Sequence, residues 1–288
     1  MPHSKECTLH ALGCRFELLR EVAASGVRVA FVRVTPTARD VDVASPQRLL
    51  FHETGRVEEL VVENVTATRV LVPEHLVVRG GAQTRALERT IVAGPHGSAR
   101  VPVRCVERGR WEVSSGRTFD RYDYASHVTR SELTSARAES FVRSSRYTAT
   151  QAAVWDHVDR ELERTRVTSA TSSYADVLDE SRRTSSALAG VPVPPEANAV
   201  VVMASTITIE MFASCDALRE RFPLLVADAT ARNDADHATN VLLQALHASA
   251  YAMPAVEGTL GEAFTIVGRV RGSALFLDGA LVHAGLVA

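Results

Sequence analysis

The chain has 288 residues, of which 46% are hydrophobic and 23% charged, and a formal net charge of −2. That is the balance of a folded globular protein rather than a disordered one, and so small a net charge offers no field that would gather nucleic acid or an anionic membrane non-specifically. Lys5 is the only lysine, which excludes P-loop, protein-kinase and Schiff-base chemistry, since each places a lysine at its centre.

In chain order, Phe16 to Ala24 reads as a short helix and Val27 to Val34 as a strand. Short β-branched runs follow at Val57 to Glu63, Arg69 to Val72, His75 to Val78, Thr90 to Ala93 and Ala99 to Val106. Pro36, Ser45-Pro46, Gly55, Pro73, Gly80-Gly81 and Gly94-Pro95 punctuate them. Short strands at such spacing predict an antiparallel sandwich or roll rather than βαβ units.

After Arg117 the apolar period moves toward 3.6. Thr148 with Gln151 has the form of a capping box, ahead of a face made of Val154, Trp155, Val158 and Leu162. A second helix is expected from Tyr174 through Leu188, ending at Gly190 before Pro192. The proline-rich run Val191 to Pro195 is the best internal boundary. Strands are expected at Asn198 to Ala204 and Thr206 to Met211, and helices at Asp216 to Phe222, Leu224 to Arg232 and His237 to Tyr251. Strands at Ala263 to Val270, Ala274 to Leu277 and Leu281 to Val287 close the chain, with Asp278-Gly279 as a hairpin signal between the last two. The fold class predicted is α+β: a β-rich portion over 27–125 packed with a helical and mixed portion over 126–288, as one integrated unit.

The four cysteines (Cys7, Cys14, Cys105, Cys215) form no CxxC pair, and the ten histidines form no metal-ligand spacing. Neither a metal nor a cofactor is therefore expected. No secretory signal pattern opens the chain, and no apolar run approaches about 18 residues. A soluble, cytoplasmic protein with reduced thiols is the expectation. Neither GxSxG nor GxGxxG occurs, which removes the common hydrolase and dinucleotide signatures.

Chemistry-bearing side chains concentrate in GGAQTR (Gly80 to Arg85) and VPVRCVERGRW (Val101 to Trp111). Gly80 and Gly81 permit a sharp turn or a close backbone approach. Gln83 offers amide donors and an acceptor, while Arg85 and Arg110 offer planar forks for carboxylate or phosphate. Trp111 presents a flat ring. Strand alternation puts Val101, Val103, Cys105 and Glu107 on one face, so Cys105 extends an apolar row and reads first as a core thiol. Glu107 at the end of that row needs a partner or its pKa rises. A structural ion pair is the plainer reading of Glu107, an acid/base role the sharper one. His283, beside Leu281 on one strand face, reads as a sheet histidine before it reads as a general base.

These two segments resemble the "ADP-ribosylglycohydrolase and rhodanese-phosphatase associated protein" domain, an uncharacterised prokaryotic family named for its genomic neighbours. Gln151 with Val154-Trp155, ITIEMF at Ile207 to Phe212 and LVHAG around His283 sit where later blocks of that family are expected, so the resemblance covers roughly residue 27 onward. Thr84 departs from it, standing where an asparagine is expected. The resemblance implies work alongside enzymes of ADP-ribose and phosphate esters, and no defined reaction.

Three readings stay open at this point. The first is a binding module for a phosphate-bearing or nucleotide-like ligand, ADP-ribose and its relatives among them, built on Gly80, Gly81, Gln83, Arg85, Arg110 and Trp111. The second is an enzyme on the same ligand class, with Glu107 as acid/base and Cys105 or His283 assisting. The third is an interaction subunit that docks a partner enzyme through its arginine-rich surface. The sequence leaves assembly into a homo-oligomer open. On the first reading Glu107 neutralises only one of the two guanidiniums, and the remaining charge favours an anion.

Overall fold

The computed structural model describes residues 6–45, 47–111, 118–183, 188–231 and 237–288. Strands β1 (Glu6–Thr8), β2 (Arg15–Ala24), β3 (Val27–Thr35), β4 (Val41–Val43), β5 (Leu49–Glu53), β6 (Glu59–Asn64) and β7 (Arg69–Val72) come first. They continue with β8 (Leu76–Gly80), β9 (Arg85–Leu87), β10 (Ile91–Ala93), β11 (Ser98–Cys105) and β12 (Phe119–Tyr124). Three helices follow: α1 (His127–Ser144), α2 (Gln151–Thr165) and α3 (Tyr174–Arg183). The rest of the chain runs β13 (Ala199–Met203), β14 (Ile207–Phe212), α4 (Cys215–Leu225), α5 (Ala238–His247), β15 (Ser249–Ala252), β16 (Thr259–Leu260), β17 (Glu262–Val267), β18 (Arg271–Leu277) and β19 (Ala280–Val287). The fold is α+β with a strand-rich first part. Among the described residues no helix is long and apolar enough to cross a membrane.

Three sheets carry the architecture. A nine-stranded antiparallel sheet runs β1-β15-β17-β18-β19-β14-β13-β3-β2, taking strands from both ends of the chain. A six-stranded antiparallel sheet runs β12-β8-β9-β11-β6-β5, and a four-stranded sheet runs β16-β10-β7-β4 with β4 parallel to β7. Val70, Val72 and Ile91 of the smaller sheet pack with Leu60, Val62, Val78, Val101 and Val103 of the six-stranded one. The opposite face of β8 and β9, with Val77 and Ala86, packs on Leu133, Val154, Val158, Val177 and Leu178 of the three helices. Strand β8 is thus apolar on both faces, which explains its unbroken LVV run.

The terminal hairpin forms as its turn signal requires. Asp278 (φ 52°) and Gly279 (φ 75°) carry the two positive φ values of a type I′ turn between β18 and β19. The segment from Phe16 to Ala24, expected as a helix, is strand β2. It pairs with β3 across Ser25-Gly26, whose φ values of 52° and 76° make the same kind of turn. The helix expected from Leu224 to Arg232 is absent over its described part: α4 ends at Leu225, with turns after it, and Arg232 lies outside the described residues. The one expected from His237 to Tyr251 stops at His247, and the chain re-enters the sheet as β15. The helix expected through Leu188 is regular as far as Arg183; residues 184–187 lie outside the described residues. The N-cap of α2 is Thr150, which accepts from Ala153 N, rather than Thr148. Gln151 instead clamps the end of β11: its Nε2 donates to Cys105 O (2.7 Å) and its Oε1 accepts from Cys105 N (3.1 Å).

Candidate functional site

Strand pairing gathers the two segments that stood out in the sequence. β9 runs antiparallel to β8 and to β11, which sets Arg85 opposite Cys105. Gly80 (φ 104°) and Gly81 (φ 55°) make the turn that leaves β8, and a side chain at Gly81 would collide with the Phe119 ring and Glu53. Their carbonyls point inward: Arg110 Nη1 donates to Gly81 O (2.8 Å) and Nη2 to Gly80 O (3.4 Å). Their neighbouring N–H groups are already engaged, Gly81 N on Thr118 O and Ala82 N on Glu53 Oε1. The glycines therefore shape a cradle of acceptors for Arg110 rather than donors for an anion.

Glu107 lies buried at the centre of this corner. Its Oε1 accepts from Arg110 Nε (2.9 Å) and Thr171 Oγ1 (2.8 Å); its Oε2 accepts from Arg110 Nη2 (2.6 Å), Thr84 N (2.9 Å) and Thr84 Oγ1 (2.9 Å). Burial alone would raise its pKa, but the Arg110 fork and the threonine donors outweigh that and hold it at about 2. A group so held is a carboxylate throughout the neutral range and acts as a fixed anion. Thr84 completes this shell with both its N–H and its hydroxyl, so the residue that departs from the family resemblance is structurally engaged.

Cys105 is buried and its Sγ donates to Glu107 O (3.1 Å); burial pushes the thiol pKa up. Gln83 Nε2 donates to the same carbonyl (3.0 Å), and Gln83 Oε1 accepts from Arg85 Nη1 (2.9 Å). Arg85 is 0% exposed, and its Nε and Nη2 have no hydrogen-bond partner. The nearest carboxylate oxygen, Glu53 Oε2, stands 3.9 Å from Nη2 and is itself without a hydrogen bond. Trp111, 43% exposed, covers the guanidinium at 5.4 Å from ring centroid to Cζ. The corner thus holds two arginines and two carboxylates. The charge that the sequence left over beside Glu107 has Glu53 as its neighbour.

His283 belongs to a different set of contacts. In β19 it is fully buried, its Nδ1 at 3.0 Å from Thr90 Oγ1, its Nε2 at 3.3 Å from Glu210 Oε2 and its ring against Phe212. Around it α1 supplies two buried arginines. Arg137 donates to Glu74 Oε2 (3.1 Å), while Arg130 meets Glu210 Oε1 (2.9 Å) and donates to Ala125 O and Leu225 O. Ser273 and Tyr147 also donate to Glu74, and Tyr124 to Glu210. Burial raises the Glu74 pKa.

The structure therefore joins Gly80, Gly81, Gln83, Arg85, Cys105, Glu107, Arg110 and Trp111 in one corner and leaves His283 in another network. Sequence reasoning missed Glu53 and Thr171, which lie on separate segments with no motif to link them, and it noted Thr84 inside GGAQTR without giving it a place in the site. It also missed Glu74, Arg130, Arg137 and Glu210. Among the described residues no group of three or more His, Cys, Asp or Glu is placed to hold a metal ion.

Fold and site together define an α+β protein with a tryptophan-covered arginine–carboxylate corner at the end of a sheet. The chain belongs to the ARG and Rhodanese-Phosphatase-superfamily-associated Protein domain family, whose model matches residues 22–287. That name states an association and no reaction. No curated protein and no solved structure matches the chain.

Proposed function

We propose that the chain is a binding module for a nucleotide-like small molecule, read at the corner formed by Arg85, Glu53 and Trp111. The observation that carries this reading is Arg85, a fully buried guanidinium with two nitrogens that make no hydrogen bond, one of them in a long 3.9 Å ion pair with a Glu53 oxygen that makes none either. Buried donors left without partners cost roughly 1–3 kcal/mol each, and a ligand that bonds to them recovers that energy. A donor and an acceptor side by side under an exposed indole suit the polar edge of a heterocycle with its face on the ring. A bare phosphate suits the corner less well, because Glu53 would oppose it. ADP-ribose, which carries both an adenine ring and phosphates, is the natural first probe given the family's name.

The enzyme reading gains little support from this corner, since Glu107 is held as a carboxylate and the Cys105 thiol is pushed up. Binding is tested by thermal shift and tryptophan fluorescence with ADP-ribose, nucleosides, nucleotides and inorganic phosphate. Nucleotide-like probes should stabilise the chain, and Trp111→Ala, at an exposed position, should remove the response while the unliganded protein stays folded. Arg85→Lys should respond poorly because an ammonium lacks the planar fork. No response to any probe, or an equal response from Trp111→Ala, would sink the proposal. A response to phosphate as strong as to ADP-ribose would replace it with a simple anion site.

A further inference from the structure

Strands β10, β16, β17 and β18, the Met253–Val256 segment and Leu12 line an open cavity of about 520 Å³ that is separate from the Arg85 corner. Ile91, Met253, Val256, Phe264 and Leu275 give it apolar walls, and Arg89 and Thr90 supply polar groups to the same lining. The volume is in the range of small-molecule pockets, and apolar walls with few polar groups are their usual make-up.

Arg89 decides what class of molecule fits. Its Nη2 donates to Pro254 O (2.8 Å), and its buried Nε has no hydrogen-bond partner. The neighbouring arginines each have a carboxylate: Arg137 has Glu74 (3.1 Å), Arg104 has Glu88 (3.0 Å) and Arg130 has Glu210 (2.9 Å). Arg89 forms no ion pair among the described residues, although Glu74 and Glu88 lie close enough to favour its charge. One positive charge therefore stands at an apolar cavity, uncompensated by contact. Thr90 does not offer its hydroxyl freely, since the oxygen is shared between Glu74 N and His283 Nδ1. Its role in the cavity is to fix the wall that carries Arg89.

We propose that this cavity binds a small amphipathic carboxylate, with its head group on Arg89 and its hydrocarbon or aryl body against Ile91, Phe264 and Leu275. A monoanion matches the single guanidinium. A phosphate dianion would leave one charge unbalanced in an apolar setting. The exposed Glu262, also in the lining, repels an anionic head and so directs it toward Arg89. Cys7 lines the same cavity and reports on its occupancy.

The test uses octanoate, octanol and octylamine on the whole chain, read by thermal shift and by the rate of Cys7 alkylation in peptide mass spectra. Octanoate should raise the melting temperature saturably and slow Cys7 alkylation, with octanol and octylamine weaker. Arg89→Gln should weaken octanoate by about 10- to 100-fold, the change expected for one charge-assisted hydrogen bond. Trp111→Ala should leave the octanoate response intact, which separates this site from the nucleotide-like one. Absence of both shift and protection overturns the proposal, as does octylamine or octanol matching octanoate. That head-group comparison needs only the native chain, so it decides the matter even if Arg89→Gln fails to fold.

Discussion

Replacing Glu107 with glutamine tests whether the corner is held by a charge. The carboxylate accepts five hydrogen bonds from four groups, Thr84 N, Thr84 Oγ1, Thr171 Oγ1 and the Arg110 fork. Glutamine keeps the shape but turns one acceptor into an NH2 donor that faces other donors. A pKa moved from 4.5 to about 2 corresponds to about 3 kcal/mol at 1.36 kcal/mol per pH unit. Breaking one partner of a buried pair costs about 3–5 kcal/mol by an independent route. The Arg110 side chain is 14% exposed against 7% for Glu107, so some screening applies and about 2–3 kcal/mol is the expected loss. The sign follows from linkage: a depressed carboxyl pKa stabilises the fold fully above 4.5, and that contribution is lost as pH falls toward 2. Urea unfolding of the native and Glu107→Gln chains should therefore show a gap of about 2–3 kcal/mol at pH 7 that closes between pH 4.5 and 2. No gap at pH 7, or one that stays constant down to pH 2, would refute the electrostatic account and leave only packing.

Two further outcomes follow from burial and topology. Cys105 should alkylate far more slowly than the half-buried Cys215 at pH 7.5, and Cys105→Ala should cost about 1–2 kcal/mol through a small cavity and the lost bond to Glu107 O; equal alkylation rates of the two thiols in peptide mass spectra would overturn the core assignment. Deleting residues 279–288 removes β19 from between β18 and β14 inside the nine-stranded sheet, so cooperative thermal unfolding should vanish rather than merely shift, and a truncated chain with an unchanged melting temperature would contradict that placement.

The strands were legible where one face is apolar and a turn residue marks each end. β11 shows this best: Val101, Val103 and Cys105 alternate inward as read from the sequence, Ala99 joins them, and the same row delivers Glu107 to the corner. β2 was misread because Leu18, Leu19 and Ala23-Ala24 favour a helix locally, while the Ser25-Gly26 hairpin and pairing with β3 override that preference. No helix is named from the sequence over α1, whose buried face carries His127, Thr129, Arg130, Thr134 and Arg137 beside Leu133 and Ala138 and so shows only a weak apolar row. The site was half legible for a related reason. Ladder partners such as Arg85 and Cys105 could be suspected from adjacent segments, whereas Glu53 and Thr171 arrive from β5 and from the loop before α3, and only the tertiary fold links them.

The excess of arginine over lysine has a physical effect on the interior. Arg130 is 1% exposed and reaches Glu210, Ala125 O and Leu225 O at once, three acceptors spread around a planar fork. Arg110 likewise spans both oxygens of Glu107 and the carbonyls of Gly80 and Gly81. An ammonium offers its three donors from one point and sheds hydration less readily, so lysine could not bridge either set. Each guanidinium fastens separate elements together: Arg130 ties α1 to β14 and to the end of α4, and Arg137 ties it to Glu74, just ahead of β8. This is how a helix with a polar buried face docks between sheets, with forks and carboxylates in place of leucines. The cost of that design is that each fork must be filled. Arg85, fully buried, and Arg89, half-buried, each keep a buried Nε without a hydrogen-bond partner and adjoin, respectively, an exposed indole and an open cavity, so both proposals of ligand binding rest on those two side chains.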